Sequence, residues 1–204
     1  MHPLLGVLTG YLAGSIPFAY LAGKAHGVDL REHGSGNLGA TNAIRVLGKK
    51  TGLVVYFADT LKGFLPVYLL PGQLDTSRPA MWAIAIGVAA IIGHVKPVFL
   101  MGQGGGKGVA TTGGVFFGLA WLPTLVAFFS FLIALALTRR VSIGSLTAAV
   151  VLPAGVAMQR GAADPLTLIC GAIAIFVIWL HRGNIRRIMD GTEPRFGEKK
   201  ETPA

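Results

Sequence analysis

Ser35, Asn37, Thr41, Asn42 and Arg45 lie in one eleven-residue stretch, interleaved with Gly36 and Gly39 and preceded by Gly34. Glycine lets a backbone turn successive N–H groups toward a ligand, and consecutive N–H groups in such a turn form an anion-binding nest. Hydroxyl, amide and guanidinium groups beside it supply the hydrogen bonds and charge that a phosphate oxygen needs. No periodic apolar pattern runs from Gly34 to Arg45, so a loop is predicted that closes onto a helix start near Thr41. A phosphate cradle and a plain polar connector fit the glycine content equally well.

A second glycine-rich segment runs Gly104-Gly105-Gly106-Lys107-Gly108-Val109-Ala110-Thr111-Thr112. It is not a P-loop: Met101 stands at the first glycine position, Gly108 replaces the Ser or Thr after the lysine, and no strand precedes it. What remains is a glycine turn that carries a lysine into a helix N-terminus, which suits an anion. His94 precedes this loop, and a lone histidine at a helix end is more often a cap or a packing residue than a catalyst. Asp59 and Lys62 share a helix face, roughly 10–17 Å from the cytoplasmic end of their span at about 1.5 Å per residue. Ionisable groups at that depth must pair, face the protein interior or line a wet cavity; a structural ion pair is the plainer reading for Asp59, less so for Lys62, whose neighbour Gly63 leaves room beside it. Near the C-terminal end, His181, Arg182, Asn184, Arg186 and Arg187 gather where the last apolar run stops. Snorkelling explains the arginines by default, while His181 and Asn184 fall three apart on one face that could turn toward the first loop.

These groups must be positioned by membrane helices. Hydrophobic residues make up 52% of the chain and charged residues 13%, against about a quarter charged in soluble domains. Several runs approach the ~20 apolar residues that cross a bilayer. Spans are predicted at about 3–23, 51–70, 80–92, 143–158 and 165–180. Between them, the 31 uncharged residues 108–138 read as two short helices joined near Trp121-Leu122-Pro123. Gly6, Gly10 and Gly14 form overlapping G-x-x-x-G steps for close helix contact, and Pro17 is placed to kink the first span. The predicted fold is all-α: a polytopic membrane protein with seven transmembrane helices, two of them short. Residues 1–190 form one transmembrane domain, and the basic tail 191–204 is expected to loosen after Gly191.

Charge placement supports the count of seven. With it, 15 of the 18 lysines and arginines fall on one side, leaving only Arg78 and Arg160 opposite and Lys62 inside a span. The positive-inside rule then puts the N-terminus outside, the C-terminus in the cytoplasm and every polar motif on the cytoplasmic face. The net charge of +9 is accounted for by topology, so anionic lipid or substrate is a better partner than nucleic acid. The single cysteine, Cys170, sits in an apolar run and excludes a disulfide framework. The nine acidic residues are scattered, without the carboxylate cluster that a metal-dependent phosphotransferase needs. No metal or cofactor is expected. No histidine is followed five positions later by aspartate, so the H-x-x-x-x-D signature associated with acyl-thioester glycerolipid acyltransferases is missing. Cationic loops without carboxylates suit metal-free chemistry between phosphate-bearing substrates.

The motifs, taken together and in order, resemble the PlsY family of bacterial integral-membrane acyltransferases. Gly14-Ser15-Ile16-Pro17 and Gly34-Ser35-Gly36-Asn37-Leu38-Gly39-Ala40-Thr41-Asn42 with Arg45 match its first block. Asp59-x-x-Lys62-Gly63 matches the next, Gly93-His94-x-x-Pro97-x-Phe99 with Gly105-Gly106-Lys107-Gly108-Val109-Ala110-Thr111 the third, and His181-x-x-Asn184-Ile185-x-Arg187 with Gly191 and Glu193 the last. One departure is a third glycine before Lys107 where the family pattern has two, so that loop is read as one residue longer.

The resemblance implies seven transmembrane helices and transfer of a fatty acyl group from acyl phosphate to the 1-hydroxyl of glycerol 3-phosphate. The products would be lysophosphatidate and inorganic phosphate, made at the cytoplasmic side of a bacterial inner membrane, with a soluble phosphate acyltransferase supplying the donor. On that basis Ser35, Thr41, Asn42, Arg45 and Lys107 are expected to hold phosphate, helped by Gly36, Asn37, Gly39 and Gly106. His181 and Asn184 would orient the acceptor or the acyl carbonyl, with Asp59, Lys62 and His94 in support. Either His181 or the donor's own phosphate could take the proton, and the substrate-assisted route is preferred. The competing reading is an organophosphate transporter, against which the sequence offers no internal repeat and no midplane site. A purely structural scaffold leaves Asp59 and Lys62 unexplained.

Overall fold

The computed structural model describes residues 1–197. Every regular element among them is helical. Packing divides the chain into two units, Met1–Trp121 and the residues from Leu122 onward.

The first unit holds α1 (Pro3–Ser15), α2 (Phe18–Ala25), α3 (Ala40–Leu47), α4 (Lys49–Leu69), α5 (Pro79–Val95) and α6 (Val109–Leu119). Helix α1 packs along α5, and α4 along α6. In a membrane the hydrophobic effect does not drive helices together, so close backbone approach at small residues must do so. The glycine ladder predicted for α1 works this way: a Cβ at Gly10 or Gly14 would collide with the carbonyl oxygen of Ile86 or Ala90 on α5. Gly93 of α5 lies equally close to the Tyr11 carbonyl, and Gly63 and Gly114 bring α4 and α6 together against the carbonyls of Thr111 and Thr60. Pro17 interrupts the first span with a full break in the helix, where a kink was expected. The chain leaves helical geometry at Ile16 and Pro17 and resumes in α2.

The second unit contains α7 (Trp121–Thr138) except for its first residue, with α8 (Val141–Arg160), α9 (Pro165–Leu180) and α10 (Arg182–Met189). Asp164 caps α9, its carboxylate accepting the Leu166 N–H at 2.8 Å.

Five helical segments are long and apolar enough to cross a membrane, and α9 with α10 makes a sixth if that pair, bent by 56°, counts as one span. Two expectations are corrected. The break in 108–138 is real, at Ala120, but α7 has 18 residues and only α6, with 11, is short. The third span does not stop at Ile92: Gly93 fits so closely against α1 that the helix continues to Val95 and carries His94 in its last turn. Beyond Gly191, where the tail was expected to loosen, the chain still makes contacts with the rest of its unit. The Glu193 side chain is buried, and the Phe196 N–H donates to the Arg139 carbonyl at 2.5 Å. Residues 198–204 of the expected tail lie outside the described residues.

Candidate active site

The first polar loop owes its shape to a solvent-facing ion pair at its start and a buried amide at its end. Asp29 opens it: its carboxylate accepts the Arg31 N–H at 2.9 Å and grips the Arg31 guanidinium at 2.6–3.1 Å. Those Arg31 hydrogen bonds hold the Asp29 carboxyl down at about 2. Arg31 also lies over the Tyr20 ring. Asn42, from the first turn of α3, closes the loop. Its Oδ1 accepts the Ser35 N–H at 2.9 Å, and its Nδ2 donates to the Leu30 and His33 carbonyls, each at 3.0 Å. Asn42 is 1% exposed. Its amide, expected on phosphate, is spent holding the loop together. Gly34 has a φ of +65°, and a Cβ there would collide with Asn42 Oδ1, so this clamp requires glycine.

Around that clamp the other expected residues divide by exposure. Ser35, Gly36 and Arg45 are exposed, while Asn37, Gly39 and Thr41 are half-buried. Gly39 is the N-cap of α3, its carbonyl accepting the Asn42 and Ala43 N–H groups. Arg45 sits one turn further along this eight-residue helix.

The second polar loop meets the first. A Cβ at Gly106 would land on His94 Nε2 and lie 2.8 Å from the Leu38 carbonyl, and one at Gly104 would touch Arg31 and Leu38. Lys107 is half-buried and precedes Gly108, the left-handed N-cap of α6. Two segments about seventy positions apart in sequence thus share one edge of the first unit.

Beneath them lie Asp59, Lys62 and His94. Lys62 Nζ is 2.7 Å from Asp59 Oδ1 and donates to the Ile16 carbonyl at 2.8 Å. His94 Nδ1 is 3.6 Å from the same Asp59 oxygen. All three line a narrow cleft with Ser15, Leu38 and Gly104 to Gly106, with room for about one water molecule. Ile16, Phe18 and Lys62 also border an open-sided apolar groove, continued by Thr9 and Ala13 of α1 and by Leu61, Leu65 and Leu69 of α4.

In the second unit His181 links α9 to α10. Its ring Nδ1 lies 2.8 Å from the Val177 carbonyl, which fixes Nδ1 as the donor and Nε2 as the basic nitrogen. Asn184, one turn on, donates from Nδ2 to Glu193 Oε1 at 2.7 Å, and Arg187 Nε pairs with Glu193 Oε2 at 2.8 Å. Burial alone would raise the Glu193 carboxyl, but the hydrogen bonds from Asn184 and Arg187 outweigh it and hold the group below its ordinary range. Arg140 Nε reaches the Glu193 carbonyl at 3.3 Å. Sequence reasoning gave Glu193 no part in the site, although it belongs to the same motif as Asn184. It also missed Asp29 and Arg31, for which a carboxylate two residues before an arginine in a glycine-rich loop was the available signal. Among the described residues no group of three or more His, Cys, Asp or Glu gathers where it could hold a metal ion.

Two adjoining glycine-rich loops that carry hydroxyls and cations can hold phosphate, and an apolar groove beside them can hold hydrocarbon. Comparison with known proteins agrees with this combination. A family model described as Glycerol-3-phosphate acyltransferase matches residues 4–191. A protein of that name from Geobacter sulfurreducens is 44% identical over 96% of this chain and 98% of its own. One from Synechococcus sp. is 43% identical over 98% of each. Among solved structures, the glycerol 3-phosphate form of PlsY (YgiH), an integral membrane glycerol 3-phosphate acyltransferase, superimposes with a TM-score of 0.87 at 38% identity, covering 96% of each chain. Its lysophosphatidic acid form superimposes with a TM-score of 0.82.

Proposed function

This chain belongs to the glycerol-3-phosphate acyltransferase family of integral membrane proteins, and from that membership we propose that it moves a fatty acyl group from acyl phosphate to the 1-hydroxyl of glycerol 3-phosphate. The 1-hydroxyl oxygen attacks the acyl carbon, the bond from that carbon to the phosphate oxygen breaks, and the hydroxyl proton passes to the departing phosphate. Lysophosphatidate and inorganic phosphate result. Because phosphate is a good leaving group that can itself accept the proton, no strong protein base is needed.

Ser35, Thr41, Arg45 and Lys107 hold the phosphates, with the backbone N–H groups that lie between Gly36 and Gly39; those of Gly36 and Gly39 themselves are given to the His33 and Asn37 carbonyls. Asn42, Asn37 and Gly106 shape that cradle. His181 and Asn184 orient the acceptor or the acyl carbonyl, with Glu193 fixing Asn184. The acyl chain lies in the apolar groove beside Lys62. The protein works as one transmembrane domain of seven helices in a bacterial inner membrane, N-terminus outside, with its site facing the cytoplasm and a soluble phosphate acyltransferase supplying the donor.

The observation that carries this reading is the packing of Gly106 on the Leu38 carbonyl, which makes the loops of Lys107 and Ser35 neighbours. The test is incubation of detergent-purified protein with acyl phosphate and glycerol 3-phosphate. Phosphate release matched by lysophosphatidate is expected. A protein that binds glycerol 3-phosphate yet releases nothing is behaving as a carrier, and the acyl-transfer reading fails.

A further inference from the structure

The proposed chemistry leaves Asp59, Lys62 and His94 without a task, although they are only 2%, 6% and 7% exposed. Burying charge between membrane helices is hard to justify as mere adhesion, because apolar packing holds helices at least as well. Glycine contacts already join α1 to α5 and α4 to α6.

What the three residues do connect is specific. Ile16, whose carbonyl receives Lys62 Nζ, lines the apolar groove. Lys62 pairs with Asp59, and His94 Nδ1 faces the same Asp59 oxygen. The far side of the imidazole, Nε2, fills the space a Cβ at Gly106 would need, one residue before Lys107. A row of buried contacts therefore runs from the rim of the groove to the turn that carries Lys107: hydrogen-bonded from Ile16 through Lys62 to Asp59, 3.6 Å from Asp59 to His94, and van der Waals from the imidazole to Gly106.

We propose that Asp59, Lys62 and His94 are positioning residues: a buried strut that fixes the separation between the mouth of the apolar groove and the Gly105-Gly106-Lys107 turn. The strut sets the approach of the acyl carbon to the acceptor hydroxyl. This inference rests on the acyl-transfer reading above. It has a kinetic signature, because each substrate keeps its own contacts when the strut is lost, while their mutual alignment does not survive.

The test compares wild type with D59N/K62M, K62R and H94Q in detergent, each first checked for folding by size exclusion and thermal unfolding. D59N/K62M removes both charges together and preserves side-chain volume. Its kcat is expected to fall about 10²-fold, the loss typical of a misplacement of about 1 Å. The KM for each substrate should move by less than about threefold, the pattern of an interaction that acts only in the transition state. K62R, which keeps the charge, should recover kcat to within about tenfold of wild type. H94Q takes the ring away from Gly106 without adding charge and should show the same split, and it carries the test should the double variant not fold. A wild type inactive on this substrate pair overturns the acyl-transfer reading and the strut together. An active wild type beside folded variants with unchanged kcat, or with raised KM and unchanged kcat, overturns the strut alone.

Discussion

Lys62 Nζ donates to the Ile16 carbonyl at 2.8 Å across 46 positions of chain, meeting that oxygen in the break between α1 and α2. The same ammonium neutralises Asp59. Lys62→Met should therefore leave a buried carboxylate without its partner and cost about 3–5 kcal/mol. The D59N/K62M pair, which buries no net charge, should lose distinctly less. Thermal unfolding in one detergent compares the two, and equal losses would show that the carboxylate does not depend on Lys62.

Gly106→Ala tests the meeting of the two loops. The added methyl would land on His94 Nε2 and press on the Leu38 carbonyl, so the turn carrying Lys107 must shift. A fall in kcat/KM of at least about tenfold is expected, equivalent to about 1.4 kcal/mol of lost transition-state stabilisation. Gly72→Ala, whose Cβ meets nothing within 4 Å at an unstrained φ, is the control and should change little.

Asn42→Asp keeps the acceptor for the Ser35 N–H but replaces the donor to the Leu30 and His33 carbonyls with an oxygen. Leaving the buried Leu30 carbonyl unsatisfied, while His33 keeps only the Gly36 N–H, should loosen the loop by about 1–3 kcal/mol. The KM for glycerol 3-phosphate should rise, with faster amide exchange confined to the loop. Exchange unchanged around Ser35 would mean that the clamp is dispensable.

Glu193 makes the C-terminal segment acid-sensitive. Because its folded-state carboxyl titrates lower than the ordinary value of 4.5, its stabilising effect is complete above that value. The effect is lost as pH falls through the lower folded-state value, where Asn184 and Arg187 no longer face a carboxylate. Acid should therefore release the segment that now ends on Arg139, read as new proteolytic cleavage between Asp190 and Phe196. Glu193→Gln should lack this acid dependence.

His181→Gln separates the two candidate bases. An imidazole base would give kcat a limb that rises as the ring loses its proton, and its removal would cost at least about 10²-fold. With the donor phosphate as base, the pH profile keeps its shape and the loss is smaller. A vanished limb would assign the proton to His181.

The helical membrane architecture was legible because spacing alone reports it. Gly6, Gly10 and Gly14 predicted close contact, and Pro17 predicted a kink at the point where the helix breaks. Direction was not legible. Thr41 and Asn42 are both polar and adjacent, yet one is half-buried and the other turns wholly inward, because a donor–acceptor amide fits a loop that points two carbonyls and one N–H at the same spot. The end of α5 was misplaced because Gly93 reads as a terminator, whereas here it is an interhelical contact. Glu193 was hidden because a glutamate just after a glycine near the chain end looks like solvated tail, and only folding reveals its donors.

The groove beside Lys62 is open along one flank. Under the proposed reaction, a hydrocarbon tail could slide sideways between bilayer and protein without being handed through water. Release of the product and its enrolment in the leaflet would then be a single event, and the speed of that step would answer to the fluidity of the surrounding lipid rather than to any gate in the polypeptide.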